Sequence, residues 1–285
     1  RAPLSVTAIA QTREYGIGDP TFTFSASGFL LSDTASTALT GALARAPGEN
    51  VGLYAIGQGT LAAQNYDISF TPANLSITPA PLDVDALPAS KIYGENDPIF
   101  AFTASGFRLG DTEASLTGAL SRTPGENVGV YDITLGTLSN PNYAISFGDA
   151  SFTINPATLR VTANPVTREY GVADPTLTFT LSGLVAGDQP SILTGGLVRD
   201  PGENVGVYAI QQNGLAAPNY VIDFVSADFT ITPAPLRITP ANVSVNEADL
   251  PPDPPLAFTA TGFRRGDTAA TALTGALTRV GAGTN

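Results

Sequence analysis

The side chains that could do chemistry in this chain are almost all carboxylates. Of 285 residues none is Cys, His, Met or Trp, and Lys occurs once, at Lys91. Thiol chemistry and thiolate metal sites are thereby excluded, and so are imidazole bases and ligands. A Schiff-base or Ser–Lys mechanism has one candidate position. What remains is oxygen chemistry: acid–base work by paired carboxylates, or oxygen ligation of a hard cation. For the latter, Asp33, Asp111, Asp188 and Asp267 are weak calcium candidates, each following a Gly-Phe or Gly-Leu strand end. No Asp-x-Asp-x-Asp loop accompanies them, and calcium wants six or more oxygens, so turn or cap residues are the simpler reading. No cofactor is expected.

The other conspicuous groups recur too regularly to look like one catalytic centre. Tyr15-Gly16-x-x-Asp19-Pro20 returns as Tyr93, Gly94, Asp97 and Pro98, and again as Tyr170, Gly171, Asp174 and Pro175. Its structural reading is a buried or half-buried Tyr closing onto a turn, with Gly giving backbone freedom and Asp accepting a local amide hydrogen. A sugar-stacking Tyr is the functional alternative. Arg45 and Glu49 flank a Pro-Gly turn, as do Arg122 with Glu126 and Arg199 with Glu203. A surface ion pair worth under about 1 kcal/mol accounts for them. Asp83 and Asp85 have no acidic equivalents, since Ser5 and Thr7, or Arg160 and Thr162, stand in their places. No pair of carboxylates stands apart from the repeating background, and the chain is expected not to be an enzyme. Lysine–asparagine isopeptide cross-links would need a Lys in every copy, but Lys91 is matched by Arg13 and Arg168.

The elements that position these residues repeat every 77 or 78 positions, as Pro47-Gly48-Glu49-Asn50, Pro124-Gly125-Glu126-Asn127 and Pro201-Gly202-Glu203-Asn204 show. All nine Tyr fall on three repeat positions, those of Tyr15, Tyr54 and Tyr66. We divide the chain into modules at 1–79, 80–156 and 157–233, with an incomplete, divergent fourth at 234–285. In the fourth, the stretch 245–254 replaces Tyr-Gly. The copy is read as either truncated or completed by strand addition from another chain. Leu4–Ala8, Thr21–Ser27, Tyr66–Phe70 and Leu75–Thr78 alternate apolar with polar residues, the period of half-buried strands. The segment 33–39 has room for one helical turn. Pro79-Ala80-Pro81 and its equivalents read as short, semi-rigid hinges. The expected fold is all-β: an elongated tandem array of small β-sandwich (Ig-like) or β-grasp-like modules of about 77 residues each. Strands of this length imply a rod of roughly 130–150 Å.

Charge narrows the partners. With 25 acidic and 13 basic residues the net charge is -12, which repels phosphate backbones and anionic membranes. No apolar run is long enough to span a bilayer, so neither nucleic acid nor membrane insertion is expected. The lack of Cys fits an exported surface protein.

Taken together, Tyr-Gly-x-x-Asp-Pro, Leu-Thr-Gly-Ala-Leu-x-Arg, Pro-Gly-Glu-Asn-Val-Gly-x-Tyr and Asn-Tyr-x-Ile-x-Phe resemble the MBG repeat of bacterial surface proteins. The resemblance implies export to the cell surface, a β module, and a stalk of a large adhesin supporting adhesion or biofilm. It supplies no catalytic residues. Two further expectations stand beside it. One is a multivalent array with weak affinity for glycan or mucin. The other is a self-assembling extracellular filament whose partners are other copies of itself.

Overall fold

A computed structural model describes residues 1–244 and 255–279. It separates into two compact units, 1–155 and 156–285, each described by itself. The divergent stretch 245–254 lies outside the described residues.

The first repeat starts with β1 (Ala2–Ala8), in which Leu4, Val6 and Ala8 are buried while Ser5 and Thr7 face solvent. Alternation continues through β2 (Gln11–Glu14), β3 (Phe24–Ser27) and, after the single helical turn α1 (Ala35–Ala38), β4 (Leu39–Thr40) and β5 (Ala44–Arg45). β6 (Gly52–Gly57), β7 (Ala62–Ala63), β8 (Tyr66–Thr71) and β9 (Ala73–Thr78) complete it. β1 pairs with β3 antiparallel and with β8 parallel; β2 pairs with β9 parallel, and β9 with β6 antiparallel. Two long bent strands, β1–β2 and β8–β9, thus run side by side through the repeat. β3 flanks their first half; β6 and β5 flank the second. The first and last strands of the repeat thus run parallel side by side, a pairing that differs from the antiparallel sheets of an Ig-like sandwich. In the first repeat Leu4, Ile56, Leu75 and Ile77 are almost wholly excluded from water, each contributing about 2 kcal/mol, and Phe152 and Phe229 are as deeply buried in the second and third.

The second repeat follows the same plan with β10 (Ala80–Ala86), β11 (Ala89–Ile92), β12 (Phe102–Ser105), β13 (Ser121–Arg122), β14 (Gly129–Thr134), β15 (Tyr143–Gly148) and β16 (Ala150–Asn155). The expected Pro hinge is not there. Only Pro79 separates β9 from β10, Ala80 is fully buried, and the buried side chains of the two repeats form one contiguous cluster from Leu4 to Ile154. Pro81 is accommodated because β10 pairs with β12 only over Asp83–Ala86, so its missing N–H faces no strand on that side.

In the second unit, β17 (Ala157–Ala163), β18 (Val166–Glu169), β19 (Phe179–Ser182), β20 (Thr194–Arg199), β21 (Gly206–Ala216), β22 (Tyr220–Val225) and β23 (Ala227–Thr232) repeat the topology. The described part of the fourth repeat contains β24 (Arg237–Pro240), antiparallel to β25 (Phe258–Thr261), and the turn α2 (Ala269–Ala272).

Candidate functional site: the ion ring and the joint between repeats

Each complete repeat brings four charged residues from distant positions into one ring. In the first, β2 directs Arg13 inward; its side chain is 3% exposed. Arg13 Nε donates to Asp19 Oδ1 at 2.7 Å and Nη2 to Glu49 Oε2 at 2.5 Å. Arg45, on β5, closes the ring through Nε to Asp19 Oδ2 at 2.6 Å and Nη2 to Glu49 Oε1 at 2.7 Å. Lys91, Asp97, Arg122 and Glu126 make the second ring; Arg168, Asp174, Arg199 and Glu203 make the third. Arg45 also lies over the Tyr54 ring, and Arg122 and Arg199 over Phe152 and Phe229.

The rings correct two expectations. Arg45 and Glu49 do pair, but inside a closed four-member network with Arg45 only 10% exposed, not as an isolated surface pair. Asp19, Asp97 and Asp174 are salt-bridge partners rather than acceptors of a local amide. Hydrogen bonds from Arg45 hold the carboxyls of Asp19 and Glu49 below their ordinary pKa values, outweighing the opposing effect of burial. Burial works against a charge on Lys91, yet its bonds to Asp97 and Glu126 outweigh that and raise its pKa. Arg13, Lys91 and Arg168 were not recognised as paired residues from sequence. The available signal was a basic residue standing two positions before every Tyr-Gly.

The second feature joins one repeat to the next. Tyr15 is buried, and its hydroxyl donates to Asp111 Oδ2 of the second repeat at 3.0 Å. Tyr143 donates to the same oxygen at 2.7 Å and accepts from the Arg108 amide at 2.9 Å. The two rings meet edge to face, 5.4 Å between centroids. Beside them Asn142 accepts from the Val51 amide at 3.0 Å and donates to Asn50 at 3.0 Å. Gly16 is required because a Cβ there would lie 2.4 Å from Arg108 Cβ, at a φ of +78. The sequence reading had a buried or half-buried Tyr15 closing onto a turn; the turn it meets is that of Arg108–Asp111 in the following repeat. Burial, then the Asp111 bond, raises the Tyr15 pKa, so the hydroxyl stays a donor. The second unit holds the same elements: Tyr170 bonds Asp267, and Gly171 lies against Arg264. Tyr93 packs against the core of the first unit, and Pro20, Pro98 and Pro175 stand at the surface end of their turns.

The four aspartates considered for calcium sit where a turn reading puts them. Asp33, Asp111 and Asp267 each close a turn by donating their amide three residues back, to Leu30, Arg108 and Arg264; Asp188 does so to Val185. Their carboxylates take tyrosine hydroxyls: Tyr66 on Asp33, Tyr143 and Tyr15 on Asp111, Tyr220 on Asp188, Tyr170 on Asp267. Among the described residues no three carboxylates gather around one point.

The sequence pattern of the MBG domain (YGX type) matches residues 4–76, 82–153 and 159–230. The chain belongs to this family. The three matches fall inside the modules drawn from the repeat at 1–79, 80–156 and 157–233. No curated protein matches the chain. At the joints within each unit the Tyr-Gly pair is a cohesive element: Tyr15 and Tyr170 supply the bond across the joint, and Gly16 and Gly171 admit the neighbouring Arg side chain. In every complete repeat the Asp of the motif anchors the ion ring.

Proposed function

We propose that this MBG array is a non-enzymatic stalk segment of a large bacterial cell-surface or secreted adhesin, holding a functional tip away from the cell and supporting adhesion or biofilm. One observation carries the reading: the polar residues that recur in every repeat are engaged in cohesion. Tyr15, Asn50, Asp111, Asn142 and Tyr143 bind repeat to repeat, and Arg13, Asp19, Arg45 and Glu49 bind strand to turn. A ligand-binding array would keep its recurring Tyr and Asp available to ligand instead. No metal is part of the proposal, and the partners are the neighbouring repeats. Among the described residues no helix is long and apolar enough to cross a membrane.

The test is replacement. Antibodies to this segment should label intact cells of the producing bacterium. Deleting two repeats in frame should weaken attachment, and an unrelated rigid spacer of equal length should restore it. If only MBG repeats restore attachment, or if the purified segment is retained on glycan or mucin in proportion to copy number, the spacer reading fails.

A further inference from the structure

The carbonyl that precedes the Pro-Gly turn is held in the same way in every complete repeat. Arg45 Nη1 donates to the Ala46 carbonyl at 2.9 Å, Arg122 Nη1 to that of Thr123 at 3.1 Å, and Arg199 Nη1 to that of Asp200 at 2.8 Å. Each carbonyl belongs to the amide of a proline: Pro47, Pro124 or Pro201. Of the three, only the third repeat carries a carboxylate on the residue that owns the carbonyl.

Arg199 is fixed before any charge develops on that oxygen. Its side chain is 9% exposed and lies over the rings of Tyr208 and Phe229. Nε donates to Asp174 at 2.7 Å, Nη2 to Glu203 at 2.9 Å, and Nη1 also reaches the Gly202 carbonyl at 2.6 Å. A donor held in advance against a carbonyl oxygen is what stabilises an oxyanion there. The Asp200 amide donates to the Ala209 carbonyl at 2.9 Å, so the backbone is anchored on both sides of the half-buried residue. The Asp200 carboxylate enters no hydrogen bond or ion pair among the described residues.

Three other Asp-Pro bonds provide the contrast. In Asp19-Pro20, Asp97-Pro98 and Asp174-Pro175, each carboxylate oxygen is taken by a basic side chain of the ion ring. Those bonds hold the three carboxyls below their ordinary pKa values. Asp253-Pro254 lies outside the described residues.

We propose that the Asp200–Pro201 bond is a self-cleaving peptide bond. An oxygen of the protonated Asp200 carboxyl attacks the backbone carbonyl carbon of the same residue, and Arg199 Nη1 stabilises the oxyanion that forms. The amide to proline is tertiary. Its nitrogen takes the carboxyl proton as the C–N bond breaks, and leaves as a secondary amine. A five-membered cyclic anhydride remains on Asp200. Water opens it, giving Asp200 a free α-carboxyl group and making Pro201 a new N-terminus. Each chain reacts once, so the non-enzymatic reading is untouched. Pairing of β20 with β21, with Arg199 opposite Ile210 and Val198 opposite Gln211, holds the nicked repeat together until it unfolds.

The full chain is incubated at about pH 5, above the range in which the rings weaken, and its fragments are weighed under denaturing conditions. Expected are residues 1–200 and 201–285, formed about tenfold faster than the products of the three ring Asp-Pro bonds. A donor near the surface is worth less than the roughly 10²–10³-fold of an enclosed oxyanion hole. The same bond should cleave more slowly when the chain is unfolded in urea at the same pH. Asp200→Ala should abolish the fragments. Ala46 is exposed, so Ala46→Asp keeps the fold and sets a carboxylate beside the carbonyl that Arg45 holds. It should create a new break after position 46. No cleavage at Asp200, equal rates in the folded and unfolded chain, equal rates at the ring bonds, or an intact Ala46→Asp variant would each overturn the proposal.

Discussion

The Tyr15 hydroxyl donates at 3.0 Å to the carboxylate of Asp111, 96 residues further along the chain, and Tyr143 donates to the same oxygen at 2.7 Å. One acceptor thus serves two repeats. Tyr143 fixes Asp111 within its own module, and Tyr15 uses the fixed carboxylate as an anchor. Neither bond needs the other to form, but each orders the group on which the other depends, so the two should be coupled.

Tyr15→Phe removes only the bond across the joint and keeps the edge-to-face ring contact. It should cost about 1.5 kcal/mol, the scale of a hydrogen bond to a charged group. Tyr143→Phe should cost more, because the Arg108 amide then loses its acceptor. Denaturant unfolding of the two single variants and the double variant gives the coupling. Strict additivity would show that the shared carboxylate is not the link.

Acid should loosen every repeat through its ring. Asp19, Glu49, Asp97, Glu126, Asp174 and Glu203 all have pKa values lowered in the folded chain, chiefly by bonds to Arg45, Arg122, Lys91, Arg199 and Arg168. The folded chain binds protons less readily than the unfolded one. Its extra stability is therefore complete above the ordinary values of 3.8 for Asp and 4.5 for Glu. It is lost as pH falls through the lowered values. The melting temperature should be flat near neutrality and fall below about pH 4.5. A melting temperature unchanged at pH 3 would mean that the rings contribute nothing.

The second ring differs from the others at one position, which makes it the place to test cation geometry. Lys91 Nζ alone reaches Asp97 at 2.7 Å and Glu126 at 2.5 Å. Arg13 makes the equivalent bonds from two separate nitrogens and adds a third, Nη1 to the Glu14 carbonyl at 3.1 Å. Lys91→Arg should therefore stabilise the chain by roughly 0.5–1 kcal/mol, the net worth of one more hydrogen bond. Lys91→Met should cost about 3 kcal/mol, because Asp97 and Glu126 would share Arg122 alone. Equal stability of the Met variant would reduce the ring to a surface feature.

What the sequence made legible were local periodicities and recurrences. Alternation in Leu4–Ala8 foretold a half-buried strand, and Asp33, read as a turn residue, donates its amide to the Leu30 carbonyl. Three relations were illegible because each depends on where distant segments meet. Nothing local announces that β8 lies parallel to β1, or that Asp111 belongs to Tyr15. Arg13 was missed for a related reason: without a partner strand, a lone basic residue looks solvent-facing. Only pairing of β2 with β9, with Arg13 opposite Ile77, shows that it points inward. The prolines of Pro79-Ala80-Pro81 misled because proline signals a break only where the chain needs the missing N–H.

The turn before Asp33 gives a test of backbone strain free of side-chain contacts. Leu31 and Ser32 both have positive φ, 55 and 73, a region that L residues other than Gly enter at a cost. The three other repeats place Gly at the position of Ser32: Gly110 at φ 84, Gly187 at φ 100 and Gly266 at φ 82. Ser32 is exposed, so Ser32→Gly removes strain without opening a cavity. The gain is offset in part by the greater freedom of Gly in the unfolded chain, leaving about 0.5–1 kcal/mol of stabilisation. The converse change isolates the cause. A Cβ on Gly110 would meet nothing within 4 Å, so Gly110→Ser can destabilise only through the backbone. Thermal unfolding should show opposite shifts of similar size for the two variants. If Ser32→Gly loosens the protein instead, the serine holds this turn by something other than its conformation, and the strain account is wrong.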